Sequence, residues 1–194
     1  CDPAFNFVYE ANIRYLHHLG EVTYFSPLAD TSLPDAGFVY LPGGYPELYL
    51  AALSANRQML QSIRRYVESG GKLLAECGGM MYLCDEIRDK NGYVYPMAGV
   101  LHQSATMENM KLRLGYRTLL YNETRLKGHE FHYSRLVEQQ NPLPSCAVAY
   151  TAKGVETDTP LYHYKNVWAG YTHLYWADPV GNEWFTKFVI DGNI

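Results

Sequence analysis

Cys77 is the residue whose neighbours most strongly suggest chemistry. It follows the apolar run Leu73-Leu74-Ala75-Glu76 and is followed at once by Gly78-Gly79, before Met80-Met81-Tyr82-Leu83 resumes an apolar, helix-like pattern. A nucleophile on a sharp strand-to-helix turn needs small neighbours, because the turn pinches the backbone. The helix after it would turn its positive end toward the sulfur, favouring the thiolate, and the next backbone N–H could receive an oxyanion. The competing reading is an inert cysteine at the end of a core strand, which would need no glycines beside it.

A thiolate needs a general base, and seven histidines are available. His17 and His18 fall on a predicted helix and face solvent, while His102 and His163 fall in loop-like stretches. His129 and His132 lie in Gly128-His129-Glu130-Phe131-His132-Tyr133-Ser134, and His173 closes a late strand. Reactive groups of a doubly wound sheet gather at the carboxyl ends of its strands, which suits His173, although spacing alone does not select it over His129 or His132. Pro42-Gly43-Gly44-Tyr45-Pro46 ends another strand and would aim its amides at the same crevice, as an oxyanion-hole or ligand-cradling loop or as a plain turn. Neither GxxxxGK[ST] nor GxGxxG is present, so nucleotide binding by those routes is not expected. Strand alternation puts His132 and Glu130 on one face and His129 on the other, so no metal site is expected there.

The elements that must carry these residues alternate strand and helix in the first half. Strands are predicted at Phe5–Val8, Val22–Phe25, Phe38–Leu41 and Lys72–Glu76. Helices are predicted from Tyr9 to Gly20, from an Asn56 cap to Ser69, and over Met80–Ile87. Such alternation signals a parallel sheet covered on both faces. The second half reads as strands at Leu112–Tyr121, Gly128–Tyr133, Ala147–Thr151 and Val167–Tyr175, antiparallel additions and closing strands of the same sheet, with a helix over Trp184–Val189.

With 194 residues, 47% apolar and 19% charged, the chain can bury a full core as one domain. A formal net charge of −4 with no basic run argues against nucleic-acid or membrane-surface partners. No apolar run reaches the ~18 residues of a membrane span, and no signal peptide is evident, so a cytoplasmic protein is expected. Cys1, Cys77, Cys84 and Cys146 form no CxxC pair and read as reduced thiols. A first residue of Cys in place of Met reads as a fragment of something longer.

Leu41-Pro42-Gly43-Gly44-Tyr45-Pro46-Glu47-Leu48, Ala75 to Leu83 around Cys77, and Gly128 to Ser134 occur in an order and spacing that resemble one family. It is the C-terminal glutaminase domain of the cobyrinic acid a,c-diamide synthases, a class I glutamine amidotransferase-like domain of cobalamin-pathway type. The resemblance, which includes Asn12, covers nearly the whole of residues 1–194 as one domain. It implies a three-layer α/β/α, flavodoxin-like fold with a mostly parallel central sheet and antiparallel additions. It implies catalytic Cys77 and His173, oxyanion donors Gly44 and Gly78, and a glutamine pocket involving Tyr45, Met81, His132, Tyr133 and Ser134. Many class I glutaminases carry a Glu two residues after the histidine, which the cobyrinate enzymes usually lack; this sequence has Tyr175 there, so the group orienting the imidazole stays open between Glu130 and Tyr175. The implied activity is release of ammonia from glutamine for amidation of corrinoid side-chain carboxylates, with no cofactor in this domain. ATP and Mg²⁺ would belong to an N-terminal synthetase domain, the implied partner, which would also hold most of the corrinoid. A cobyric acid synthase-type domain, a free-standing cysteine hydrolase and a non-catalytic docking or regulatory domain are the alternatives.

Overall fold

A computed structural model describes residues 2–191, the Asp191 side chain excepted. The expected strand-helix alternation is present. In chain order the elements are α1 (Glu10–Leu19), β1 (Phe38–Leu41), α2 (Leu50–Ala55), α3 (Arg57–Glu68), β2 (Lys72–Glu76) and α4 (Gly78–Leu83). Then follow β3 (Glu86–Arg88), β4 (Val94–Pro96), β5 (Ser104–Thr106), β6 (Arg113–Tyr121), β7 (Thr124–His132) and β8 (Arg135–Leu136). The last are β9 (Val148–Thr151), β10 (Glu156–Thr157), β11 (Leu161–Tyr164), β12 (Val167–Gly170), β13 (His173–Leu174) and α5 (Pro179–Thr186), which runs into a π-helical turn at Lys187–Asp191.

The central sheet has the order β1-β2-β12-β11, with β1, β2 and β12 parallel and β11 antiparallel at the edge. Strand alternation splits its side chains between two cores. Val39, Leu41, Leu73, Ala75, Val167 and Ala169 pack with Met59, Leu60, Ile63 and Val67 of α3. Phe38, Tyr40, Leu74 and Trp168 pack on the other face with Tyr15, Leu16 and Leu19 of α1 and with Trp184 and Phe185 of α5. Helices therefore cover both faces, giving three layers. The α3 helix starts where the sequence places it, with Asn56 Oδ1 accepting the Met59 N–H at 3.3 Å.

Four expectations need correction. The strands expected at Leu112–Tyr121, Gly128–Tyr133 and Ala147–Thr151 do not extend the central sheet. They form a separate five-stranded sheet, β10-β9-β6-β7-β13, and β4-β3-β5-β8 form a third. The run Val167–Tyr175 is two strands, β12 in the central sheet and β13 in the five-stranded one, with Tyr171-Thr172 carrying the chain between them. The helix after Cys77 stops at Leu83, because Val100 and Leu101 N–H groups take the Leu83 carbonyl and Gly99 N–H takes that of Cys84. Val22–Phe25 pairs with nothing, and Phe5–Val8 makes only a single bridge from Phe7 to Gly43. A β-prone sequence without a neighbouring edge leaves its backbone groups to water, and Tyr24 is 60% exposed.

Candidate active site

The thiol stands where the local sequence puts it. Cys77 ends β2 and caps α4 with φ 49° and ψ −108°, a conformation costly for a residue with a Cβ and stored at functional sites. Its N–H donates to the Gly170 carbonyl at 2.8 Å, which locks the turn to the end of β12. Gly79 is required by contact: a Cβ there would meet the Leu41 carbonyl oxygen at 2.1 Å. Gly78 faces the other glycine loop, where a Cβ would lie 3.2 Å from the Gly44 nitrogen and 2.7 Å from Pro46 Cδ. The two expected oxyanion donors therefore sit side by side.

Cys77 is 4% exposed, and its sulfur lies 3.7 Å from the Phe131 carbonyl oxygen of β7. Burial pushes the thiol up to about 12; the Gly78 N–H pulls against this, and Glu47, Glu76 and Glu130 add to it. The free site thus holds a thiol, and forming the thiolate requires a base. Beside the sulfur opens a recess of about 240 Å³ counted out to solvent, lined by Gly44, Tyr45, Glu47, Cys77, Met81, Phe131, His132, Tyr133 and Ser134. All five residues expected at a glutamine pocket line it. Glu47 does so too, and burial holds its carboxyl above the ordinary range.

His173, on β13, pairs with His129 of β7, so the strand whose Phe131 carbonyl faces the sulfur also pairs with the backbone that carries the imidazole. The ring is wedged between Phe7, at a centroid distance of 4.3 Å, and Gly43. Burial, with His129 and His132 nearby, depresses it to about 3, against the opposing pull of Glu130. The base is therefore neutral at rest. The strand β13 is clamped by Asn12, fully buried on α1: its Nδ2 donates to the Leu174 carbonyl at 2.8 Å and its Oδ1 accepts the Trp176 N–H at 3.0 Å. Asn12 thus has a structural job at the site.

Neither expected orienting group reaches His173. The Glu130 carboxylate is held within a polar cluster of the opposite sheet face. His132 Nε2 donates to it at 2.8 Å, Arg117 Nε lies 2.5 Å away and Thr159 donates at 3.0 Å. Burial of Glu130 opposes ionisation, but these partners outweigh it and hold the carboxyl below its ordinary range. The other nitrogen of His132 faces the Ser134 carbonyl at 2.8 Å, and the ring stacks on Tyr171 at 3.7 Å. Tyr175 is 39% exposed and packs on Tyr9. The carboxyl group beside His173 belongs instead to Glu76, whose Oε2 lies 3.9 Å from Nδ1. Sequence gave no signal for this: Glu76 is the residue before the nucleophile, and strand alternation turns it to the opposite side of the sheet from Ala75. His163, expected in a loop, lies on β11 and stacks on Trp168. His17, His18 and His102 are exposed.

The fold has counterparts among solved structures. A crystal structure of a glutamine amidotransferase matches with a TM-score of 0.56 at 18% identity, covering 92% of each chain. The structure of PurLQS from Thermotoga maritima matches with a TM-score of 0.59 at 16% identity, covering 98% of this chain and 93% of that one. At those identities the likeness is one of fold. The narrower relationship comes from sequence: the chain belongs to the CobB/CobQ-like glutamine amidotransferase domain family, which matches residues 1–180. Hydrogenobyrinate a,c-diamide synthase of Pseudomonas aeruginosa is 39% identical over 180 residues, covering 90% of this chain and 40% of that protein. Cobyrinate a,c-diamide synthase of Picrophilus torridus is 41% identical over 187 residues, covering 90% and 39%. The chain therefore spans about 40% of the length of these curated relatives. Among the described residues no helix is long and apolar enough to cross a membrane.

Proposed function

We propose that residues 1–194 act as one glutaminase module of an ATP-dependent amide ligase that amidates corrinoid side-chain carboxylates, the class of acceptor named for the relatives. The carrying observation is Cys77, held at φ 49° beside two glycine amides and a recess lined by Tyr45, Met81, His132, Tyr133 and Ser134. ATP, Mg²⁺ and most of the corrinoid belong to a synthetase domain, and the whole works in the cytoplasm.

In this reading the glutamine side-chain amide enters beside Cys77. His173 takes the thiol proton as sulfur attacks the amide carbon, and Gly44 and Gly78 N–H groups receive the oxyanion. The imidazolium returns the proton to the leaving nitrogen, releasing ammonia and a glutamyl thioester, which water then cleaves to glutamate and free thiol. The buried, neutral thiol and imidazole make proton transfer part of the attack, so little thiolate accumulates in the empty site. Glu47 faces the α-ammonium group of glutamine across the recess, and Tyr45, Met81, His132, Tyr133 and Ser134 shape its walls.

The test is intact mass after incubation with a glutamine-mimicking affinity label, on the native chain and on Cys77→Ala. One adduct on the native chain, absent from the variant and blocked by excess glutamine, is expected. No adduct, under conditions where a small thiol reagent modifies Cys77, would overturn the glutaminase reading.

A further inference from the structure

Resting on the glutaminase reading, we propose that Glu76 is the positioning residue of this site: its carboxylate holds the Nδ1–H of His173 and leaves Nε2 free as the base for Cys77. Three observations converge on it. The His173 Nδ1 atom is buried and has no hydrogen-bond partner, and the Glu76 carboxyl oxygen lies 3.9 Å away. Both side chains are almost fully buried, 2% exposed each, so water cannot substitute. The carboxyl group is also fixed at both oxygens: Tyr40 donates at 2.6 Å to Oε2, the oxygen nearest His173, and the N–H of Leu174, next in chain to His173, donates to Oε1 at 3.0 Å. It is thereby tied to the very strand that carries the imidazole. Contacts of this kind are long in empty sites and tighten around substrate.

The proton balance follows from the surroundings. Burial raises Glu76 to about 8, with Tyr40 and Leu174 pulling against it. At neutral pH the resting carboxyl is mostly protonated. The competent form has lost that proton to solvent, so that the carboxylate accepts Nδ1–H and Nε2 is bare. Other groups facing the pair are Cys77, Tyr9 and Tyr40 on the Glu76 side, and His129, Glu130 and His132 around the imidazole. When the Cys77 proton moves to Nε2, the resulting imidazolium is balanced by Glu76 across this contact, the role a carboxylate plays in hydrolytic triads. It is supplied here by the residue preceding the nucleophile.

The experiment compares native chain, Glu76→Gln and Glu76→Asp. In glutamine hydrolysis Glu76→Gln is expected to lower kcat about 100-fold or more with KM within about twofold. It should also lose the acid limb of the pH profile of kcat/KM, and Glu76→Asp should restore part of the rate and the limb. A purely structural role would instead leave the pH profile of the folded fraction unchanged, and that outcome overturns the proposal. An independent readout needs no turnover: ¹⁵N spectra of the histidine rings, with His173 assigned by subtraction of a His173→Gln spectrum. A protonated Nδ1 above pH 8 in the native chain, lost in Glu76→Gln, supports the proposal; a bare Nδ1 overturns it. A native chain that turns over no glutamine would defeat the glutaminase reading alone, with the spectra still deciding on Glu76.

Discussion

Gly43 and the imidazole of His173 are in such close contact that a Cβ on Gly43 would sit 2.1 Å from His173 Cε1 and 2.9 Å from Nδ1. The glycine loop after β1 is therefore a wall for the imidazole of His173 as well as a neighbour of Gly78. Gly43→Ala should push the ring aside. A misplacement on the order of 1 Å can cost about 100-fold, so glutamine turnover should fall by about that factor while Cys77 still reacts with a small thiol reagent. Parallel rate and alkylation assays check it.

Glu47 is the carboxylate that lines the recess. A hydrogen bond from a charged donor is worth about 1.5–3 kcal/mol. Glu47→Gln should then raise KM for glutamine roughly 10- to 100-fold and change kcat little, because the α-ammonium contact is the same in ground and transition states. A steady-state titration with glutamine decides, and an unchanged KM removes Glu47 from the pocket.

Asn12 satisfies one backbone acceptor and one backbone donor on either side of Tyr175. Asn12→Ala strands both in a buried site, where each unsatisfied group costs about 1–3 kcal/mol. Chemical denaturation should show a loss of at least about 2 kcal/mol. Turnover in the folded protein should also drop, since the same clamp holds β13 under His173.

The buried titratable groups set a pH profile of stability. Glu76 is raised to about 8, so between its ordinary value of 4.5 and 8 the unfolded chain gives up a proton that the folded chain keeps, and stability falls as pH rises. His173 is depressed to about 3 from 6.5, so below 6.5 the unfolded chain takes up a proton that the folded chain refuses, and stability falls as pH drops. The two oppose each other from 4.5 to 6.5. From 6.5 to 8 Glu76 acts alone, with a slope of at most about 1.4 kcal/mol per pH unit. Glu130, held below its ordinary range, adds stability above that range that is lost as pH falls through its folded value. Denaturant midpoints measured from pH 4 to 8.5 should show a plateau between about pH 4.5 and 6.5 with a fall on either side, and Glu76→Gln should flatten the alkaline side.

What the sequence determined by itself was local. The apolar run, Cys77 and two glycines specify a strand, a strained turn and a helix within a dozen residues, and each requirement is met by atoms nearby in the chain or by one close approach. The cap at Asn56 and the strands β1 and β2 are legible for the same reason. Which histidine serves, and what holds it, depended on partners far apart in sequence. His173 reaches the site only because β12 ends at Gly170 and the chain crosses to pair with His129 in another sheet. Glu130 looked available on its strand, yet Arg117 of β6 and Thr159 of the β10–β11 connection come from elsewhere in the chain to occupy it. Glu76 carries no local mark of its place, because its contacts with Tyr40, Leu174 and His173 exist only once three separate strands close around it. Burial and pairing across long chain separations are properties of the folded core, and one-dimensional patterns of residue type do not encode them.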